Sequence, residues 1–278
     1  MSRGSRPFSA EQSGIVARGD LVGERAQPTV LFVHGYSQAR SCWDAQFTSD
    51  LMVPLSLARY DLRGHGDSDR PETPSSYELD AFAAELRGVI DAVVTELEPS
   101  SLVLCAWSFG ARIAFRLLDR LDAASLDALV LVGADPNDDP ALIGPGLRQK
   151  QGMVSSDRLE NEAATRRFLA SCFTTPPDSD ALERLFDANM RVSPFVRRAM
   201  SGHDLDAPAL AEHVRVPVLI AHGSDDQVVL VEAAHESFRL FSDARLSLYD
   251  HVGHAPFLEA TERFNAELLS FSEAIEAR

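Results

Sequence analysis

Residues Ser101 to Gly110 read SLVLCAWSFG, a run of apolar, β-favouring side chains that stops at a serine, with Ala106 and Gly110 two residues to either side. Leu102 to Cys105 have the unbroken apolarity of a strand covered on both faces. Gly110 to Leu118 (GARIAFRLL) has the pattern of a helix. Ser108 stands on the bend between them. A hydroxyl on such a bend is held in fixed geometry and points away from the sheet. The helix start behind it offers unpaired N–H groups and the positive end of the helix dipole. A serine nucleophile needs these three things: exposure, rigidity and donors for an oxyanion. The spacing approximates the strand–turn–helix elbow G-x-S-x-G, with Ala106 where glycine is usual. The physical demand is for small residues where strand and helix pass close, and alanine is the smallest departure. Taken alone, Ser108 reads equally as an ordinary helix N-cap, so the rest of the chain must decide.

A chain of 278 residues is long enough for one α/β domain with an insertion. Apolar residues make up 45% and charged residues 24%, the profile of a globular protein. The net charge of −16 argues against nucleic acid or an anionic membrane as partner and leaves a small-molecule substrate. No apolar run approaches the roughly 20 residues of a spanning helix, and MSRGSRPFSAEQ lacks the apolar core of a secretory signal. Cys42, Cys105 and Cys172 have no metal-type spacing and read as inert buried thiols, so a cytoplasmic location is expected. Lys150 is the single lysine and reads as codon bias.

Outward from the elbow, strands are expected at Ile15–Gly23, Thr29–Val33, Val53–Arg59, Leu126–Val132, Val216–Ala221 and Arg245–Tyr249. Helices are expected at Ser41–Leu51, Tyr77–Leu97, Leu230–Phe241 and Pro256–Ala277. Alternating strands and helices with near-continuous apolar strands imply a parallel sheet covered on both faces. The texture changes after Asp135: residues 137–211 are strand-poor, helix-like and broken by prolines. They read as a helical cap inserted into a core of residues 1–136 and 212–278, lying over the carboxyl ends of the strands as a lid.

Three further features fall at strand ends. His34-Gly35-Tyr36 follows the first buried parallel strand, and Gly35 lets the backbone turn so that the Tyr36 N–H faces the serine. GSDDQVV (Gly223–Val229) is an acidic turn, and DHVGHAPFLE (Asp250–Glu259) places His254 in a loop after the last strand. Acyl transfer needs a hydroxyl, a base, an acid to hold the base and two donors for the oxyanion. One candidate for each role falls at the same edge of the inferred sheet.

With VLFVHGY, YDLRGHGDSD, CAWSFGAR, VPVLIAHGSDD and GHAPFLE in this order, the chain resembles the α/β-hydrolase-fold serine hydrolases over nearly its full length. The resemblance implies a mainly parallel eight-stranded sheet, a helical cap, and a catalytic set of Ser108, His254 and Asp226. Asp135, one strand earlier, is the alternative acid. The resemblance also implies an oxyanion hole from the backbone N–H groups of Tyr36 and Phe109, with His34 organising the oxyanion loop. His34, Gly35 and Trp107 are the pocket candidates, and the Tyr36 hydroxyl is a further candidate for polarising substrate. His222 and His251 read as structural or exposed, and His65 and Asp67 as parts of a structural turn. Trp43 reads as packing. Arg166-Arg167 and Arg197-Arg198 read as surface charge.

The expected reaction is hydrolysis of a carboxylic ester, thioester or lactone without metal or other cofactor. The same residues also suit C–C bond hydrolysis, perhydrolysis or acyl transfer. A slow-turnover small-molecule receptor is the alternative from another class.

Overall fold

Strands form mostly where the chain is rich in apolar residues, and the central ones end where glycine or polar residues begin. In the computed structural model, which describes residues 4–118, 126–135, 139–202, 205, 209, 211–212 and 214–278, they build one eight-stranded sheet. They are β1 (Arg6–Gln12), β2 (Ile15–Val22), β3 (Thr29–Val33), β4 (Ser56–Asp61), β5 (Leu102–Trp107), β6 (Ala128–Val132), β7 (Val218–Gly223) and β8 (Ala244–Tyr249). Their order is β1-β2-β4-β3-β5-β6-β7-β8. The β1–β2 and β2–β4 pairs are antiparallel and all others parallel. The elbow strand β5 is thus central, between β3 and β6.

Side chains alternate across β5 and divide between two cores. Leu102, Leu104 and Ala106 join one core with α2 (Leu79–Leu97) and α3 (Phe109–Leu118). Val103, Cys105 and Trp107 join the other, with Trp43, Phe257 and Phe264. Trp43 sits between Phe32 and Phe257, at ring-centroid distances of 4.8 and 4.1 Å. A short helix α1 (Asp44–Thr48) follows it.

Between β6 and β7 the chain forms α4 (Arg158–Ser171), α5 (Ser179–Met190) and α6 (Pro194–Ala199). Their starts are written in the sequence: Asp157, Asp178 and Ser193 accept first-turn N–H groups, and Pro194 opens α6. After β7 come α7 (Glu232–Leu240), α8 (Pro256–Glu259) and α9 (Thr261–Glu276). Among the described residues, no helix is long and apolar enough to cross a membrane.

Four expectations need correction. β1 lacks an apolar pattern, with only Ala10 buried, and was not expected; it is held by pairing with β2 across a Ser13-Gly14 turn in which both residues have positive φ. The expected Ser41–Leu51 helix is a relay of two 3₁₀ turns flanking α1. The expected Pro256–Ala277 helix is broken at Ala260, whose φ of −127° and ψ of 47° are not helical. Arg197 is not surface charge. Its guanidinium is buried and donates to Ser37 Oγ at 2.8 Å, Asn161 Oδ1 at 2.8 Å and the Met153 carbonyl at 2.9 Å, with Thr165 Oγ1 and the Asn189 carbonyl as further acceptors. Burial pulls it down to about 10, but the acceptors keep it satisfied. Arg166 and Arg198 are exposed as expected, Arg166 pairing with Glu183.

Replacing Trp43 by alanine removes the ring that joins β3 to α8. The variant is expected to lose about 3–5 kcal/mol of stability, measured as a lower urea midpoint with unchanged slope.

Candidate active site

The carboxyl ends of β3, β5, β6, β7 and β8 converge on one small region. Ser108 follows β5 with a φ of 53°, a left-handed conformation that a side-chain-bearing residue rarely takes. Its N–H donates to the Val132 carbonyl of β6 at 2.9 Å, which fastens the bend to the neighbouring strand. A Cβ at Gly110 would come within 2.8 Å of the Val33 and His34 carbonyls, so glycine is required there. Ala106 is fully buried within β5, and its methyl fits where the elbow pattern usually has glycine.

His254 is held by Trp107, the residue before Ser108, and packs on Gly133. The indole N–H of Trp107 donates to the His254 carbonyl at 2.9 Å, and the two rings lie 5.6 Å apart. Gly133, the residue after the Val132 that holds Ser108, has a φ of 53°; a Cβ there would sit 2.9 Å from His254 Nδ1 and Cε1. That missing side chain is the space the imidazole occupies.

Asp226 Oδ2 lies 2.7 Å from His254 Nδ1, while Oδ1 accepts the N–H groups of Val228 and Val229 at 2.7 and 3.0 Å. Burial would raise this carboxyl, but His254 and His222 outweigh it and hold it well below the usual carboxylate range. An ionised Asp226 can only accept, so Nδ1 of His254 carries the proton and a neutral ring leaves Nε2 bare. Asp225 turns outward to Ser224 and His251. Asp135 lines the cavity at Ser108, whereas Asp226 takes the His254 nitrogen.

Tyr36, Ser108 and Phe109 line one cavity of about 260 Å³. The N–H groups of Tyr36 and Phe109 have no acceptor among the described residues. His34 explains the first: its ring Nδ1 lies 2.9 Å from the Gly35 carbonyl, and its Nε2 accepts the Leu62 N–H at 3.0 Å. A trans peptide directs its C=O and N–H oppositely, so pinning the Gly35 carbonyl turns the Tyr36 N–H the other way. Burial lowers His34 to about 4, keeping it in the neutral form this arrangement needs.

His34, Gly35 and Trp107 are not among the residues that line this cavity; they pack or hydrogen-bond next to those that do. A Cβ on Gly35 would press on Trp107 and on Ser108 Cβ at 3.1 and 3.3 Å. The Tyr36 hydroxyl is also spoken for, donating to the Arg197 carbonyl at 3.2 Å. The cavity walls that sequence reasoning missed include Arg112, Lys150, Ile143, Leu147 and Met200. Lys150 Nζ lies 4.3 Å from the Tyr36 ring centroid, and its being the only lysine was the available signal. His65 is buried under His34, and His222 is buried beside Asp226. Among the described residues, no group of three or more His, Cys, Asp and Glu side chains is placed to hold a metal ion.

The pattern of the Alpha/beta hydrolase family matches residues 30–267. The chain is 28% identical over 250 residues to a pimeloyl-[acyl-carrier protein] methyl ester esterase of Aromatoleum aromaticum, covering 85% of this chain and 94% of that one. It is 26% identical over 271 residues to a non-heme chloroperoxidase of Streptomyces lividans, covering 90% and 93%. The crystal structure of the esterase RhEst1 from Rhodococcus sp. ECU1013 superposes with a TM-score of 0.86 at 28% identity, covering 99% and 100%.

A methyl group at position 133 has nowhere to go but into the His254 ring. Gly133→Ala is expected to slow the reaction of Ser108 with a serine-directed fluorophosphonate by about 10²-fold, since displacements of about 1 Å have that effect. A labelling time course checks this, with circular dichroism confirming that the variant folds.

Proposed function

The chain belongs to the alpha/beta hydrolase family, and on that footing we propose that it is a serine hydrolase cleaving a carboxylic ester, thioester or lactone through an acyl-serine intermediate. The observation that carries this reading is the strained Ser108 bend together with a histidine, packed on the adjacent Trp107, that is paired at 2.7 Å with a buried carboxylate. Relatives named as esterases support ester hydrolysis in general.

In this reading Ser108 Oγ attacks the carbonyl carbon while His254 Nε2 takes its proton. Charge develops on the carbonyl oxygen, which the N–H groups of Tyr36 and Phe109 hold; each such donor is worth on the order of 3 kcal/mol. Asp226 holds the imidazole in the correct tautomer and stabilises its charged form. His254 then protonates the leaving group, and the acyl-serine is opened by a water that His254 activates. We take residues 137–211 as the helical cap and residues 1–136 with 212–278 as the core. Ile143, Leu147 and Met200 from the cap give the cavity apolar walls, and its volume of about 260 Å³ suits a short acyl group. The free, buried state of Cys42, Cys105 and Cys172 supports a cytoplasmic setting.

A second reading, perhydrolysis by the same three residues, is favoured by the relative named as a non-heme chloroperoxidase. Peroxide would then replace water in opening the acyl-serine.

Ser108→Ala is expected to reduce cleavage of short 4-nitrophenyl esters by on the order of 10⁵- to 10⁶-fold with an unchanged melting temperature. Retained cleavage would show that the nucleophile is another residue. Because Asp226 is held well below the usual carboxylate range, it stays ionised across the acid range. The kcat/KM profile should therefore fall on acidification along a single limb, from protonation of the histidine base. A profile that stays flat on acidification contradicts that role.

A further inference from the structure

Asp226 serves two imidazoles. His222, the penultimate residue of β7, is buried, and its Nε2 lies 3.2 Å from Asp226 Oδ2, the oxygen that also takes His254 Nδ1 at 2.7 Å. The same His222 Nε2 lies 2.9 Å from the Val229 carbonyl. A ring nitrogen facing a carbonyl and a carboxylate must carry a hydrogen, since a bare lone pair there would meet only lone pairs. His222 thus presents one N–H to both oxygens, whether its ring is neutral or charged. With the N–H groups of Val228 and Val229 on Oδ1, Asp226 is surrounded by four donors.

We propose that His222 is a positioning residue that shares the charge of Asp226 with His254 and so sets the pH at which the histidine base is lost. This rests on the reading of Ser108, His254 and Asp226 as the catalytic set. Each donor on a carboxylate weakens the hold of that carboxylate on any other cation. With His222 on Oδ2, Asp226 supports the His254 imidazolium less than it would alone. Burial pulls His222 down, but the hydrogen bond and charge of Asp226 more than offset it and leave His222 above the ordinary histidine value.

The other ionisable groups facing this set come from three elements. Glu232, at the start of α7, acts on His222 through its charge. Cys172, just past α4, stays a thiol because burial raises it strongly. Glu259, at the end of α8, is raised by burial and held by the N–H groups of Gly253, Thr174 and Thr175. None of these three gives a hydrogen bond to Asp226, so His222 is the group to vary.

The test is the pH dependence of kcat/KM for a short 4-nitrophenyl ester in wild type, His222→Phe and His222→Gln. Phenylalanine fills the space without a donor, and the glutamine amide nitrogen can stand near the position of Nε2. In His222→Phe the acid limb is expected to move to higher pH by about one unit, with KM on the plateau unchanged. His222→Gln should return most of that shift. An acid limb that stays put in His222→Phe, or that moves equally far in both variants, overturns the inference and leaves the triad reading intact. A wild type with no acid limb overturns both. Should His222→Phe fail to fold, ¹⁵N-histidine NMR of the wild type decides. A protonated Nε2 on His222 at neutral pH is expected, and a bare one would overturn the inference.

Discussion

The left-handed bend at Ser108 is the constraint on which the other parts depend. A non-glycine residue with a φ of 53° is held only where its surroundings leave no alternative. Here they are the Ser108 N–H bond to Val132 and the bare α-carbon of Gly110 against the Val33 and His34 carbonyls. The bend stops β5, starts α3 one residue later, and brings Ser108 and the Phe109 N–H to one cavity. Sequence, strain and placement are the same fact seen at three scales.

From that bend, distant segments are joined by contacts that each need a particular residue. Val132 holds the bend, and Gly133 beside it gives His254 its space. Trp107, the residue before the bend, holds the His254 backbone. His34 turns the Tyr36 peptide, and Ser37 next to it is gripped by the buried Arg197 guanidinium. Arg197 also collects acceptors on α4, α5 and the Met153 segment, so one cation ties the helices between β6 and β7 to the loop after β3. Among the described residues it meets no carboxylate, and its neutral acceptors serve in place of an ion pair.

What was legible in the sequence was whatever a strong local pattern encodes. The apolar runs of β3, β5, β6 and β7 announce buried parallel strands, and the glycines and polar residues after them mark the sheet edge where Ser108, Asp226 and His254 fall. β1 was not legible because a polar edge strand is stabilised by its partner and not by its own side chains. Arg197 read as surface because charge is normally solvated, and only the fold gathers its acceptors from four separate segments. His34 and Trp107 were placed at the pocket because they adjoin it in sequence, but neighbours on a strand end point to opposite faces. Lys150 and Arg112 reach the cavity from elements whose packing no local pattern specifies.

The most direct measurement of the central claim is a crystal structure of the protein after reaction with a small fluorophosphonate. The account predicts phosphorus bonded to Ser108 Oγ, with one phosphonyl oxygen within roughly 2.7–3.1 Å of both the Tyr36 and Phe109 N–H groups, and His254 Nε2 turned toward the adduct. An adduct on another residue, or a phosphonyl oxygen directed away from those two N–H groups, would contradict it.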